Sequence, residues 1–491
     1  MRDLLPPARL YNSQRMKKSR RNKEAYLGLD QGSTATKVLV VTPRGEVLHQ
    51  ARRSVATSVS GQRVHQDPRA VVRSVRSALS ESIAFARERN VKIRGLGMAT
   101  QRSSFLFFDR KGRALTPIIS WRDTSGAGRI PSLEHHVKRI KKITGLPLTP
   151  YYSALKMKQH LPSRQNEILF GTVNTFLMYR LTGGKVFATD PANAQRTLLF
   201  NIRTLAFSEE LLRFFSVPGN VRLPEVRDTA GHFGEVSLKG MSTPIVTSTG
   251  DQQAAFFGSS GWETGRGLIN LGTGGFLLVP VTELPDRAKD LIMTLSHTDK
   301  GKPFLLLEGT VNAVSDALSY FESILGKIFT AGKREQGSYP VIVFGQRGTG
   351  APLWDPPFPA AVSGMGSDTG GDELLASSLF GSLCYFRLID EAMGRAGCDA
   401  GEYVVSGGIS AIDGVPSFLR DLLGKPVYRS MITEMTAVGA ALAAMVLGDG
   451  VPYPGKRKNI RLIRRKAPAD AGAYYKGWLK LYRFARNRAH G

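Results

Sequence analysis

The run Tyr26-Leu27-Gly28-Leu29-Asp30-Gln31-Gly32-Ser33-Thr34-Ala35-Thr36-Lys37-Val38-Leu39-Val40-Val41 decides how this 491-residue chain is read. Tyr26 to Asp30 has the pattern of a short strand that ends in an acid. Gln31 to Lys37 carries the small and hydroxyl residues of a tight turn. Val38 to Val41 is a return strand, closed by Pro43-Arg44-Gly45. Two strands about a turn make a β-hairpin. A dinucleotide or Walker phosphate site needs a strand, a glycine turn and then a helix, so this stretch belongs to neither class.

A second turn of similar kind lies in Ile269-Asn270-Leu271-Gly272-Thr273-Gly274-Gly275-Phe276, within a hairpin from Gly267 to Pro280. Such a glycine turn presents backbone N–H groups to a phosphate. Shortly before it, Pro244 to Ser248 reads as a strand bounded by Gly250, followed by Asp251-Gln252-Gln253-Ala254-Ala255-Phe256-Phe257-Gly258. That spacing sets one carboxylate, Asp251, at the end of a buried strand and the lip of a cleft. A carboxylate there accepts the proton of a hydroxyl that attacks phosphorus. The competing role for Asp251 is N-cap of the helix Gln252 to Phe257, and one residue can serve both. A base and a phosphate cradle so close in sequence point to phosphoryl transfer.

Asp67 to Arg89 has helical periodicity, with Val71, Val75, Ala78, Leu79 and Ile83 on one face, and Val91 to Met98 reads as the next strand. Strand and helix signals alternate to about Gly258, and again from Gly261 to Gly448. Two α/β blocks, each opening with a phosphate-type hairpin, suggest a duplicated architecture. Paired hairpins, one per domain, are how actin-like ATPases grip phosphates. The expected fold class is α/β, with two actin-like (ribonuclease H-like) ATPase domains and an interdomain cleft. The expected parts are a basic extension over 1–24, a first domain over 25–258, a second over 259–455 and a basic tail over 456–491. The tail has helical character over 471–488, with Tyr474, Trp478, Leu481 and Tyr482 on one face.

A chain of this length holds two or three domains, and 42% hydrophobic residues suffice for large cores. Cys384 and Cys398 are the two cysteines, which excludes a disulfide framework or a zinc spacing and fits a reducing cytoplasm. No apolar run approaches the ~18 residues of a membrane helix. The basic N-terminus lacks the apolar core of a secretory signal, and Met16 is a candidate start. The net charge of +27 is concentrated at the ends: residues 1–25 carry eight Lys and Arg against two acids, and 455–491 twelve against one. Basic tails suit nucleic acid or acidic membrane, but the chain has no nucleic-acid motif and no interleaved aromatics, so a nucleic-acid role is not expected.

Several runs, taken in order, resemble the FGGY carbohydrate kinase family and within it the glycerol kinases, over about residues 25–485. Gly28 to Thr34 is similar to the family's first phosphate hairpin, Gly97-Met98-Ala99-Thr100-Gln101-Arg102 to its polyol strand, and Ile119-Ser120-Trp121-Arg122-Asp123 to its aromatic substrate wall. Thr182-Gly183-Gly184, Thr189-Asp190 and Asn193-Ala194-Gln195-Arg196-Thr197 resemble the glycerol kinase middle segment. Gly250 to Gln253 and Gly272-Thr273-Gly274 resemble the catalytic and second phosphate motifs. Ser406-Gly407-Gly408-Ile409 and Thr433 to Ala440 resemble the nucleotide signature.

The resemblance implies ATP on the C-terminal domain, polyol on the N-terminal one, and closure that excludes water. It makes Asp251 the general base. Gln101, Arg102, Trp121, Tyr151, Asp251, Gln252 and Phe276 would contact the polyol. Gly32, Ser33, Thr34, Lys37, Gly272, Thr273, Ser315, Gly407, Gly408, Ile409 and Asp413 would contact the nucleotide. Asp30 and Asp251 would hold Mg²⁺, which keeps several waters and uses few carboxylates. It also implies a homo-oligomer, a dimer or tetramer.

Three positions depart from the family pattern. Glycerol kinases carry Gln-Arg-Glu-Thr where this chain has Gln101-Arg102-Ser103-Ser104, so a carboxylate that takes two hydroxyls is missing. Ser315 stands at a usual glycine, and Ile412-Asp413 replaces an Asn-containing pair. Three readings follow: a kinase of glycerol or a related polyol, a kinase of another sugar such as a pentulose, and a regulatory actin-like ATPase without sugar kinase activity.

Overall fold

The computed structural model describes residues 23–163, 167–261, 263, 265–283, 285, 288, 290–329, 339–454 and 460–490. The basic stretch 1–22, with Met16, lies outside them.

The strands Lys23–Gln31 and Ala35–Val41 form the hairpin, antiparallel, with Asp30 opposite Lys37. Its turn is three residues, Gly32 to Thr34. The sequence reading ran it on to Lys37, but Ala35, Thr36 and Lys37 already pair across the ladder or enter it. Strand Lys23–Gln31 also pairs in parallel with Val91–Thr100, which pairs in parallel with Met241–Gly250. Gln31 is level with Thr100, and Thr100 with Gly250. Parallel strands share one carboxyl edge, where open α/β sheets bind ligands. That register alone brings Gly32 to Thr34, Gln101, Arg102 and Asp251 to one edge.

The helix Pro68–Glu88 covers this sheet. Asp67 caps it by accepting from the backbone N–H groups of Arg69 and Ala70, and Pro68 opens it. Val71, Val75, Ala78, Leu79 and Ile83 are all buried, as their spacing requires. A further six-stranded sheet within the first half includes Phe105–Phe108 and Ile168–Thr172.

The second half is built on a seven-stranded sheet. Its hairpin joins Arg266–Leu271 to Gly275–Val281, with Leu271 opposite Gly275, so its turn, Gly272 to Gly274, is also three residues. As in the first sheet, the leading strand has an antiparallel partner on one side and a parallel one, Glu402–Ser406, on the other. The two halves repeat one plan.

Two helices join the halves. Asp251–Ser260 packs on Met435–Ala443, and the latter also lies on the first sheet. The approach is so close that a Cβ on Gly439 would sit 1.8 Å from the carbonyl oxygen of Ala254. A Cβ on Gly28 or Gly97 would be 1.9 Å from the carbonyl oxygen of Ala437 or Ala440. Only glycine fits there.

The described part of the C-terminal tail is woven into the second half. Ile460–Leu462 adds an edge strand beside Val427–Ser430. The helix Ala471–His490 buries Tyr474, Trp478 and Tyr482 in the second half's main core, with Leu481 half-buried at its margin. Its charges, Lys476, Lys480 and Arg483 among them, are exposed. Among the described residues no helix is long and apolar enough to cross a membrane.

Candidate active site

Between the halves lies a cavity of about 370 Å³ lined by Ser33, Arg102, Ser103, Trp121, Tyr151, Tyr152, Arg196, Asp251, Gln252, the Gly272-Thr273-Gly274 turn, Phe276 and Glu308.

Asp251 is the first residue of its helix, and Gly250, in extended backbone, is the N-cap. The capping role expected for Asp251 is thus not filled. Its Oδ1 accepts the N–H of Gln252 at 2.8 Å, and the helix N-terminus favours its charge. Burial raises its pKa above the ordinary carboxylate value, with Arg102 opposing. A carboxylate so placed is a stronger base than one in water.

Arg102 is committed on three sides. Its Nε lies 3.4 Å from Asp251, and its two terminal nitrogens donate to both oxygens of Glu308 at 3.0 and 3.3 Å. The guanidinium carbon is 5.4 Å from the Phe276 ring centroid. Glu308 also accepts from Arg196 at 2.5 Å and from the Thr294 hydroxyl at 2.7 Å. Burial resists its ionisation, but Arg102 and Arg196 outweigh that and hold it at about 2. Sequence reading missed Glu308 and gave Arg196 no role. Their one signal was a lone acid in Phe304-Leu305-Leu306-Leu307-Glu308 and a lone base in Asn193 to Thr197.

Gln101, expected at the polyol, is not among the residues that line the cavity. Fully buried, it donates to Gln31 and Gln66 and accepts from the hydroxyls of Ser33 and Ser104. Those two hydroxyls accept the indole and backbone N–H groups of Trp121, each at 3.0 Å. Gln101 therefore orients the wall without forming it. Trp121 packs against Tyr151, ring centroids 6.2 Å apart, and both line the cavity. Gln252 lines it too, its side-chain oxygen accepting from Asn270 at 2.9 Å.

In the first turn, the Gly32 N–H closes on Ala35, and Thr34 is exposed. The Lys37 ammonium lies 2.5 Å from Glu434 and 3.6 Å from Asp30. In the second turn, Gly272 N–H donates to Gly274, while the Thr273 carbonyl accepts from Val314 and Ser315. The backbone N–H of Ser315 thus holds the turn. Gly407 has φ 88°, and a Cβ there would strike the Leu271 carbonyl at 2.2 Å, whereas beside Gly408 the space is open. Ile409 sits half-buried in the short 3-10 turn Gly408–Ala411. Asp413 pairs with Arg465 at 2.7 Å, near the surface. None of residues 407–413 lines the cavity.

Asp30 is buried, and its pKa is pushed up to about 7 by burial and by the charges of Asp251 and Glu434, with Lys37 opposing. Two carboxylates with raised pKa in one place form a hard-oxygen donor pair. Among the described residues there is no group of three or more metal-type side chains. That set fits Mg²⁺ with its own waters and poorly fits zinc.

Comparison with known proteins agrees with this geometry. Residues 25–258 match the N-terminal domain of the FGGY family of carbohydrate kinases, and 267–448 match its C-terminal domain. The chain is 36% identical to a glycerol kinase of Thermus brockianus, over 94% of this chain and 98% of that one. It is 32% identical to a glycerol kinase of Ectopseudomonas mendocina, over 94% and 99%. Similar folds include Plasmodium falciparum glycerol kinase with ADP (TM-score 0.77, 23% identity, 95% of this chain and 98% of that one). They also include a xylulose kinase of Rhodospirillum rubrum (TM-score 0.79, 18% identity, 95% and 100%). With both family domains matched over most of its length, and relatives 36% and 32% identical over nearly all of it, the chain belongs to the FGGY family of carbohydrate kinases.

Proposed function

We propose that this protein transfers the γ-phosphoryl group of ATP to a primary hydroxyl of glycerol or a closely related polyol. The observation that carries the reading is the position of Asp251, at the carboxyl edge of the first sheet, in one cavity with the Trp121–Tyr151 wall and the Gly272-Thr273-Gly274 turn. The carbon chain of the acceptor lies against Trp121, Tyr151 and Phe276. Asp251 receives the hydroxyl proton as that oxygen attacks the γ-phosphorus in line. Arg102, neutralised by Glu308, keeps Asp251 in place. The turns Gly32 to Thr34 and Gly272 to Gly274 face the phosphates from either half. Asp30 and Asp251 are the residues that would hold Mg²⁺, which offsets phosphate charge.

One observation favours a second reading, a kinase of a larger sugar such as a pentulose. Ser103 is short and lines the cavity where the family's glutamate would take up room and bind two hydroxyls. An ADP-release assay with Mg-ATP against glycerol, dihydroxyacetone, erythritol, xylulose, ribulose and ribitol separates the two. Glycerol as best acceptor supports the first reading, and a four- or five-carbon acceptor the second. Turnover that no acceptor stimulates sinks both.

A further inference from the structure

Lys156 has no part in the chemistry above, yet its side chain is fully buried. It projects from the helix Ser153–Met157, which starts directly after Tyr151-Tyr152. Its Nζ donates to the backbone carbonyls of Ser120 at 2.8 Å, Asp123 at 3.1 Å and Tyr151 at 3.3 Å, with that of Trp121 at 3.5 Å. An ammonium has three N–H groups, and here three carbonyls stand close enough to take them. The carboxylate of Asp123 is not its partner: it accepts instead from the N–H of Val64 and from the N–H and hydroxyl of Ser125. The chain thus buries a charge without an ion pair, at a cost an apolar side chain would avoid. What the charge provides is a cross-link between two segments far apart in sequence, one carrying Trp121 and the other Tyr151.

We propose that Lys156 is a positioning residue for the acceptor, tying the Trp121 loop to Tyr151 so that the two rings keep the separation the carbon chain needs. This rests on the reading of that wall as the acceptor site. The tie belongs to the protonated lysine, since a neutral amine has two N–H groups and a lone pair that would face a carbonyl. Burial pulls its pKa down to about 7, with Asp123 opposing. The other titratable neighbour is His160, which burial holds below its ordinary value and which also feels Asp123, Arg63 and His65.

The test uses the full chain, with Mg-ATP and glycerol, and compares Lys156→Met with Trp121→Ala. Lys156→Met keeps the length and removes the donors. It raises the glycerol KM about tenfold, the size of one lost buried hydrogen bond, while kcat and the ATP KM stay within about twofold. Lys156→Gln, with two N–H groups, falls between wild type and Met. Trp121→Ala raises the same KM. If Trp121→Ala moves the glycerol KM and Lys156→Met does not, the tie is overturned and the acceptor site stands. If neither moves it, the acceptor reading itself fails. A wild-type pH series needs no variant: the glycerol KM rises as pH is raised through about 7, and the ATP KM does not rise with it.

Discussion

The indole N–H of Trp121 donates to the hydroxyl of Ser33 at 3.0 Å, so the aromatic wall of the cavity hangs from the Gly32 to Thr34 turn. Ser33 in turn donates to Gln101 at 3.2 Å. On the proposed reading, the two substrates share a scaffold at one hydroxyl. Ser33→Ala raises the KM for both ATP and acceptor, and Trp121→Phe raises the acceptor KM. The double variant loses less than the two singles combined, by about 1 kcal/mol, because each single already breaks the same bond. Strict additivity in steady-state kinetics would show that the bond is idle.

Asp251→Asn lowers kcat by about 10³ while leaving the ATP KM within a few-fold, the loss expected when a general base is removed. Burial raises the pKa of Asp251, so wild-type kcat/KM falls on acidification at a pH above the ordinary range of an aspartate. The basic form acts, hence activity is lost as pH drops. A pH–rate profile flat to pH 4 removes Asp251 from the role.

Glu308 titrates near 2 in the fold and near 4.5 when unfolded. A depressed carboxyl stabilises the fold above its unfolded pKa and loses that contribution as pH falls through the folded one. The window is pH 4.5 to about 2, and the contribution is roughly 3 kcal/mol. Glu308→Gln is destabilised at pH 7 because two buried guanidinium groups lose their counterion, and its unfolding free energy changes less with pH across that window. Equal acid sensitivity of the two proteins in denaturant titrations would contradict this.

Ser103 has φ 65°, left-handed backbone that a serine adopts at some cost. Ser103→Glu returns the family's carboxylate to the cavity. It lowers the KM for glycerol and raises it for xylulose or ribulose, by roughly tenfold in their ratio. An unchanged ratio of kcat/KM values means that position 103 does not choose the acceptor.

Gly439→Ala places a methyl group 1.8 Å from the Ala254 carbonyl, so the two joining helices must separate. We expect a loss of more than about 2 kcal/mol in thermal or denaturant unfolding, the range of overpacking in a rigid contact. Gly408→Ala, with open space around its Cβ, leaves stability near wild type.

Much of this was legible locally. The hairpin at Asp30, the strand before Asp251 and the helix Pro68–Glu88 each carry their own periodicity and punctuation. Glu308 was not legible because its meaning lies in Arg102, 206 residues away. The Lys37–Glu434 ion pair was not legible either, because Glu434 comes from the other half. Gln101 sits one residue from Arg102 in sequence, but past the strand end at Thr100 its amide is taken by Gln31 and Gln66, partners 70 and 35 residues away. The C-terminal helix read as a basic tail because charge dominates its composition. Its aromatic face, Tyr474, Trp478 and Tyr482, decides its place. Local pattern reports elements; which polar groups pair across a cleft is a property of the closed chain.

The packing of Met435–Ala443 onto the first sheet at Gly28 and Gly97 also bears on biosynthesis. The ribosome delivers every strand of that sheet within the first 250 residues, but the helix that covers its glycine face comes almost 200 residues later. Until then the glycine face of the first sheet lacks the helix that covers it in the finished protein. Closure of the first sheet therefore waits on the last part of the chain to be made.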